Sequence, residues 1–372
     1  MNDKSLEYLK CYDLQIRKMV KGMGGVIVST SKGNVLFLEC TRNDGFYIRD
    51  EAVTNAIMEA GFKNVDTYIR NADGELFTQG DDGRRYVVKR WFAGRECDVK
   101  SEEDVIEAVR ALADLHKCLN VVAAREVYVI EKQLSNSGNT GWESMAQAEK
   151  QEACDGLVLR ASESQVERIV HFDKGNGIRQ NMDRHTKELK KAANYMRGKK
   201  KKNEFEQIAL GCMDMFYKEA QEALANIMND RFDDRFKRME DTGELIHGSF
   251  NYHNVFLGAD GGSAVTNFER CHNNCQIIDL YQFLRKVLEK HNWDAGVAYR
   301  IVDEYDKLKP VEDDDLDMLM ILMGFPEKFW KIINQYYNAG KAWIPTKNID
   351  KLKLVIKQND SRRELIDKMC GV

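Results

Sequence analysis

An eight-residue polar loop, His247-Gly248-Ser249-Phe250-Asn251-Tyr252-His253-Asn254, runs into two short apolar strands. The strands, Val255 to Leu257 and Ala264 to Phe268, are joined by a turn at Asp260-Gly261-Gly262. An Asp/Gly turn between β-forming runs makes a hairpin. This one delivers Asn267-Phe268-Glu269 thirteen residues after Asn254. A fold that accepts the segment must present a polar loop at one end of a hairpin. The groups gathered there are a hydroxyl, amides and imidazoles. A hydroxyl is not a base near neutral pH without one beside it, and a lone neutral amide holds magnesium weakly. Two chemical uses remain open: a Ser249–His253 pair, and Glu269 as a carboxylate. The commoner uses are a serine capping its own loop and an acid facing solvent at a strand end.

The rest of the chain sets bounds. Its 372 residues are enough for two domains and a sizeable core. Charged residues make up 31% and hydrophobic ones 43%, the balance of an ordinary globular protein. A net charge of -4 gives no reason to expect nucleic acid as a partner. No apolar run reaches the length of a membrane span, and Met1 to Glu7 lacks the apolar centre of a signal peptide. Synthesis in the cytoplasm is therefore expected. The 9 cysteines (Cys11, Cys40, Cys97, Cys118, Cys154, Cys212, Cys271, Cys275, Cys370) form no close Cys-x-x-Cys pair. Cys271, His272 and Cys275 come nearest to a metal cluster but lack two further ligands at zinc-like spacing, so no metal is expected there. Most thiols are expected to be reduced and buried.

The first hundred residues alternate between strands and turns. Leu14 to Val20, Gly25 to Thr30, Val35 to Glu39, Asn64 to Arg70 and Arg84 to Trp91 have strand character. Gly22, Gly24 and Gly25 mark one tight turn and Ser31-Lys32-Gly33-Asn34 another. Arg49 to Ala60 places Val53, Ile57 and Ala60 on one helical face, and Gly61 stops it. Beyond Ser101-Glu102-Glu103-Asp104, a good helix start, helices take over. They include Phe205 to Ile227, Ile277 to Lys290, Trp293 to Leu308, Asp315 to Met323, Pro326 to Ala339 and Ile349 to Gln358. Ser135 to Gly141 reads as a loop, and all 3 prolines lie beyond residue 309. The predicted fold is α+β, with two parts. Residues 1–92 form an antiparallel sheet with one helix. Residues 93–372 are helical, with a charged helical insertion at about 120–203.

A sheet with one helix, a linker near Trp91 to Arg95, then helices resembles the two-lobed kinase fold. It resembles the aminoglycoside phosphotransferase and choline kinase group more than the protein kinases. Three motifs carry that: Leu112-Ala113-Asp114-Leu115-His116 directly after the linker, His247-Gly248-Ser249, and Asp279-Leu280 opening a helix. The resemblance implies roles for particular positions. Ser249 stands where an Asp would take the substrate's hydroxyl proton, Asn254 where an Asn helps hold metal, and Asn267 where an Asp binds magnesium. His247 would shape the loop, and Asp279 would brace it. Strand three ends Leu38-Glu39-Cys40, which gives Glu39 the slot of the phosphate-binding lysine. Lys89, on the strand entering the linker, is the available substitute. Gly22, Gly24 and Gly25 lie at the turn that would cover phosphates, although glycine in a hairpin turn has its own steric reason.

Longer motifs are similar to the spore coat protein S family of endospore-forming bacteria. They are Trp91-Phe92-Ala93-Gly94-Arg95-Glu96-Cys97, Lys200-Lys201-Lys202-Asn203-Glu204-Phe205, Asp279 to Lys286, Glu289 to Trp293, Phe325 to Lys331, and Tyr336-Tyr337-Asn338. They spread over roughly residues 13 to 360. The resemblance implies synthesis in the mother cell, the spore coat as destination and other coat proteins as partners. With Glu39, Ser249 and Asn267 all set against magnesium-ATP chemistry, the expectation is a pseudokinase with no cofactor. The alternatives are a small-molecule kinase using ATP, magnesium, Glu269, Asp279 and Lys89, or a sensor that binds a nucleotide or metabolite without turnover.

Overall fold

Two residues with positive φ, Met23 at 54° and Gly24 at 75°, close the first hairpin, where Gly22 pairs with Gly25. That geometry matches the right-handed twist of the strands on either side. The computed structural model describes residues 3–81, 83–125, 128–129, 157–162, 165–170, 172, 177–258, 262–338 and 346–370. The expected loop from Ser135 to Gly141, Cys154, the turn residues Asp260 and Gly261, and Ala339 lie outside them. The described residues fall into two compact units.

The first unit comprises Met1–Asp98, Glu107–Asp173 and Gly243–Asn273. Its main sheet is antiparallel in the order β1 (Ile16–Gly22), β2 (Gly25–Thr30), β3 (Gly33–Glu39), β6 (Arg85–Trp91), β4 (Tyr68–Ile69), with β5 (Thr78–Gln79) on β6. Alternation sorts the side chains. Val26, Val28, Val35, Phe37, Tyr86 and Val88 pack with Leu9 from the 3-10 segment Asp3–Cys11 and with Tyr12 just after it. Leu36 and Trp91, with Ile27 and Leu38 beside them, face the other way. Helix α1 (Asp44–Glu59) starts earlier than expected because the Asn43 side chain accepts from Phe46 N. It ends before Gly61 at φ 118°.

A second small sheet joins β7 (Arg95–Glu96), β12 (Val255–Leu257) and β13 (Ser263–Val265). Its strand β13 ends sooner than the sequence suggests, since Asn267 is left-handed at φ 67° and ψ 64°. A short pair, β11 (Leu245–Ile246) with β14 (His272–Asn273), closes the segment. The expected charged helical insertion is corrected in part: β9 (Leu157–Ser162) and β10 (Gln165–Val170) form an antiparallel hairpin with β8 (Tyr128–Val129) alongside. Brief alternating runs, such as Val166 to Val170, escape notice inside a polar stretch. The helix α2 (Glu102–Ala123) runs through both units.

The second unit, Val99–Ile106, Lys174–Thr242 and Asn274–Val372, is helical. Its helices are α3 (Ile178–Gly198), α4 (Glu204–Ile227), α5 (Asp233–Thr242), α6 (Ile277–Leu288), α7 (Ala295–Leu308), α8 (Asp313–Gly324), α9 (Glu327–Asn338), α10 (Thr346–Lys357) and α11 (Asn359–Met369). Glu107–Asp173 and Gly243–Asn273 thus group with the sheet of the first unit. Among the described residues, Cys97, Cys271 and Cys275 are buried while Cys11 and Cys370 are exposed, so burial of the thiols is less general than expected. No helix among them is long and apolar enough to cross a membrane.

Candidate functional site

The loop 247–254 is held by hydrogen bonds that fix the state of its histidine. His247 is fully buried; its Nε2 lies 3.0 Å from the Thr266 carbonyl, and Ser249 N donates to its Nδ1 at 3.2 Å. A carbonyl only accepts and an amide N–H only donates, so the imidazole is neutral with its proton on Nε2. Gly248 has φ 74°, and a Cβ there would stand 2.2 Å from the Arg270 carbonyl oxygen. The loop can be drawn this tightly only with glycine at that point.

Asn251 Nδ2 and Asn254 Nδ2 both donate to the Ser249 carbonyl, at 2.7 and 3.0 Å. Asn254 Oδ1 accepts from Asn267 Nδ2 at 2.8 Å. The hairpin thus brings together the two residues that the sequence placed at metal positions, and they bond to each other as amides. His253 turns elsewhere: its Nδ1 meets Glu96 Oε2 at 2.7 Å. Glu269 is exposed on the 3-10 turn Phe268–Arg270. Asp279 is fully buried in the first turn of α6, in the other compact unit.

Beneath Asn267 lies a buried charge cluster. Lys89 Nζ bonds Asp66 Oδ2 at 2.7 Å and Asp50 Oδ2 at 3.0 Å, with side chains only 5%, 1% and 2% exposed. Tyr68 OH donates to Asp50 Oδ2 at 2.8 Å, and its ring centroid is 4.7 Å from the ammonium. Asn267 N donates to Asp66 Oδ2 at 3.3 Å. Burial pushes the Asp66 carboxyl up to about 6, although Lys89 pulls it down. Burial alone would lower Lys89, but the two carboxylates outweigh it and hold the ammonium charged. Oδ1 of both Asp50 and Asp66 is buried without a hydrogen-bond partner. Lys89 is therefore buried and paired with two acids.

Glu39 needs a correction of register. Leu36 pairs with Lys89 and so shares its face of the sheet, whereas Glu39 lies on the same face as Phe37 and pairs with Tyr86 on the opposite side. Glu39 forms a partly exposed ion pair with Arg84 at 3.2 Å. The inner face of β3 offers Leu36 and Leu38, with no lysine. Gly25 is required for space: a Cβ there would lie 2.3 Å from the Phe37 carbonyl oxygen, whereas Gly24 has open space around it. Sequence reasoning missed Asp50 and Asp66. A signal existed for Asp50, which falls at helical spacing with the buried Tyr47, Val53 and Ile57.

No family model matches this chain, and no curated protein matches it in sequence. Solved structures do match it. One is an aminoglycoside phosphotransferase from Alicyclobacillus acidocaldarius, at TM-score 0.74 and 16% identity, covering 98% of this chain and 94% of that one. The chain has the aminoglycoside phosphotransferase fold. A spectinomycin phosphotransferase, solved with ADP and spectinomycin, matches at TM-score 0.58 and 10% identity, covering 100% and 99% of the two chains. An aminoglycoside 2'-phosphotransferase solved with GDP matches at 0.50 and 11%, covering 96% and 98%. At these identities the likeness concerns fold.

Magnesium and a nucleotide fit this site poorly. Asn254 and Asn267 are neutral and bonded to each other, and Lys89 is buried between two acids. Among the described residues no group of three or more His, Cys, Asp or Glu is placed to hold a metal.

Proposed function

We propose that this chain is a phosphotransferase-fold protein that no longer transfers phosphate and serves as a structural or scaffolding component of the bacterial spore coat. The observation that carries the loss of chemistry is the Asn254–Asn267 amide pair at 2.8 Å. Magnesium coordination by that pair requires breaking a hydrogen bond and supplies no charge in return. Ser249 at the base position and the apolar inner face of β3 act in the same direction. Three such losses are hard for neighbouring residues to rescue together. Support for the coat comes from the motifs at Trp91–Cys97, Asp279–Lys286 and Phe325–Lys331, with other coat proteins as partners and the mother cell as the place of synthesis.

Thermal denaturation with and without ATP and magnesium tests the reading, together with fractionation of spores. The expected result is a melting shift below about 1 °C, no ATP turnover and recovery of the protein in the coat extract. Turnover with a sugar, amine or alcohol, abolished by Glu269→Gln, would establish a small-molecule kinase instead. Saturable stabilisation without turnover would establish a sensor.

A further inference from the structure

From Lys190 to Asn203 the chain carries seven cations and no acid, although its net charge is -4. The rest of the chain is therefore acidic on balance. The run covers the end of α3, where Lys199 is the C-cap, and the turn into α4. Three of its cations are bonded within the fold. Arg197 pairs with Asp214 at 2.6 Å, Lys199 pairs with Glu206 at 2.6 Å, and Lys202 Nζ donates to the Lys199 carbonyl at 2.9 Å. Lys190, Lys191, Lys200 and Lys201 are exposed and have no partner among the described residues. The acidic run from Glu312 to Asp317 is treated differently. Arg238 takes Glu312 and Asp314, Arg235 takes Asp315, and Arg231 takes Asp317. One charge block is matched inside the fold and the other is left open.

A merely solvated charge run needs no scaffold, and this one has one. The buried Glu206 accepts from Lys199 Nζ, from Tyr336 OH and, at 2.9 Å, from Asn203 N. Asn203 Oδ1 accepts from Glu206 N in return and completes the capping box. The turn is thereby tied to α4 and α9, and it holds Lys200 and Lys201 at the surface. Beside it, Tyr195 and Tyr337 are 49% and 40% exposed and meet edge to face at 5.4 Å. Lys199 Nζ lies 5.0 Å from the Tyr195 ring centroid. Lys191 and Tyr195 are one helical turn apart, both on the exposed side of α3. Exposed rings among open ammonium groups join apolar contact to attraction for anions.

We propose that this surface docks a short acidic segment of a partner protein. Its carboxylates meet Lys190, Lys191, Lys200 and Lys201, and an aromatic side chain between them lies on Tyr195 and Tyr337. Charge complementarity selects the occupant. A long nucleic acid or an anionic membrane would extend beyond the run onto an acidic molecule, whereas a short segment would not. Arg197 is the one arginine in the run and is already paired, so no planar fork is open to grip phosphate. A second copy of this chain would offer an acidic run that its own arginines have matched.

The test is fluorescence anisotropy of the full chain with a labelled peptide that repeats Glu-Glu-Tyr over about twelve residues, long enough to span the run when extended. The expected result is saturable binding with Kd on the order of 10 μM at low salt, weakened about tenfold or more at roughly 0.5 M salt. A peptide repeating Glu-Glu-Ser is expected to bind about threefold more weakly or worse, and Tyr337→Ser to weaken the first peptide by a similar factor. Lys200→Glu with Lys201→Glu, at exposed positions where folding is not at risk, should weaken it about tenfold. Lys18→Glu with Lys21→Glu makes the same change of charge on the exposed strand β1 of the first unit and should alter Kd by less than about twofold. Equal loss from the two double variants, equal binding of the two peptides, or no saturation by concentrations on the order of 1 mM would each overturn the proposal. Tighter binding of an oligothymidylate or of phosphatidylglycerol vesicles would replace the protein partner with those polyanions and overturn it too. Self-association seen by light scattering and abolished by Lys200→Glu with Lys201→Glu would put a second copy there instead. None of these outcomes bears on the loss of phosphoryl transfer, which rests on other residues.

Discussion

Asp66 is the residue whose titration the fold has altered most usefully for experiment. Its carboxyl is raised to about 6 by burial, from 3.8. A group raised on folding contributes stability that is complete below the unfolded value and is lost as pH climbs through the folded one. The window therefore runs from about 4 to about 6, and the loss across it is roughly 1–3 kcal/mol. Denaturant titrations of the parent protein and of Asp66→Asn at several pH values measure this. The variant is expected to gain on the parent steadily from pH 4 to pH 6, and parallel curves would refute the assignment. Glycine gives a second prediction. Gly248→Ala meets the Arg270 carbonyl oxygen, whereas Gly24→Ala, at nearly the same φ, meets open space. The first is expected to cost about 3 kcal/mol or more and the second about 1 kcal/mol, read from urea midpoints. Similar costs would show that the loop around Gly248 can relax. These positions were only partly legible. His247 and Asn254 announce themselves through a motif, but the partners of Lys89 lie 39 and 23 residues away, and no local pattern reports a contact across that distance.

Strands and helices were easier to read than the faces they present. The β-branched runs of β2 and β6 and the caps of α1 and α4 are local, and local chemistry decides them. Asn203 closes a complete capping box with Glu206, which is why α4 begins at Glu204, next to the expected Phe205. The face of β3 was another matter. Successive residues of a strand point to opposite sides, so an error of one position carries Glu39 from the inner face to the outer. Only the pairing with β6 fixes it. The consequence is measurable: Glu39→Gln removes a partly exposed ion pair with Arg84 and is expected to cost about 0.5 kcal/mol or less. It should leave the response to nucleotide unchanged. A new stabilisation by ATP in that variant would restore Glu39 to the inner face as a phosphate-repelling group. The hairpin of β9 and β10 was missed for a different reason: five or six residues of alternation are a weak signal inside a charged stretch.

At the scale of the whole molecule, the proposed loss of phosphate transfer is a matter of charge: the amides at 254 and 267 are neutral and bonded to each other on a phosphotransferase fold. The neutral His247, the glycine at 248 and the bonded amides still shape the loop. Lys89 is paired with Asp50 and Asp66. Introducing one acid is therefore expected to supply one function and not the others. Asn267→Asp replaces the amide that donates to Asn254 Oδ1 with a carboxylate facing that oxygen, close to Asp66. In EDTA the variant is expected to lose about 1 kcal/mol, because a hydrogen bond becomes a repulsion between oxygens. Magnesium, bridging the new carboxylate and the Asn254 amide oxygen, should return part of that loss, while the parent protein stays indifferent to the ion. ATP turnover should remain absent, since Ser249 supplies no base and β3 offers Leu36 and Leu38 where a lysine would be needed. Melting curves in EDTA and in magnesium, with an assay for ADP release, decide the matter. ADP release by the single variant would mean that the remaining groups had been competent all along and that one amide alone had silenced them.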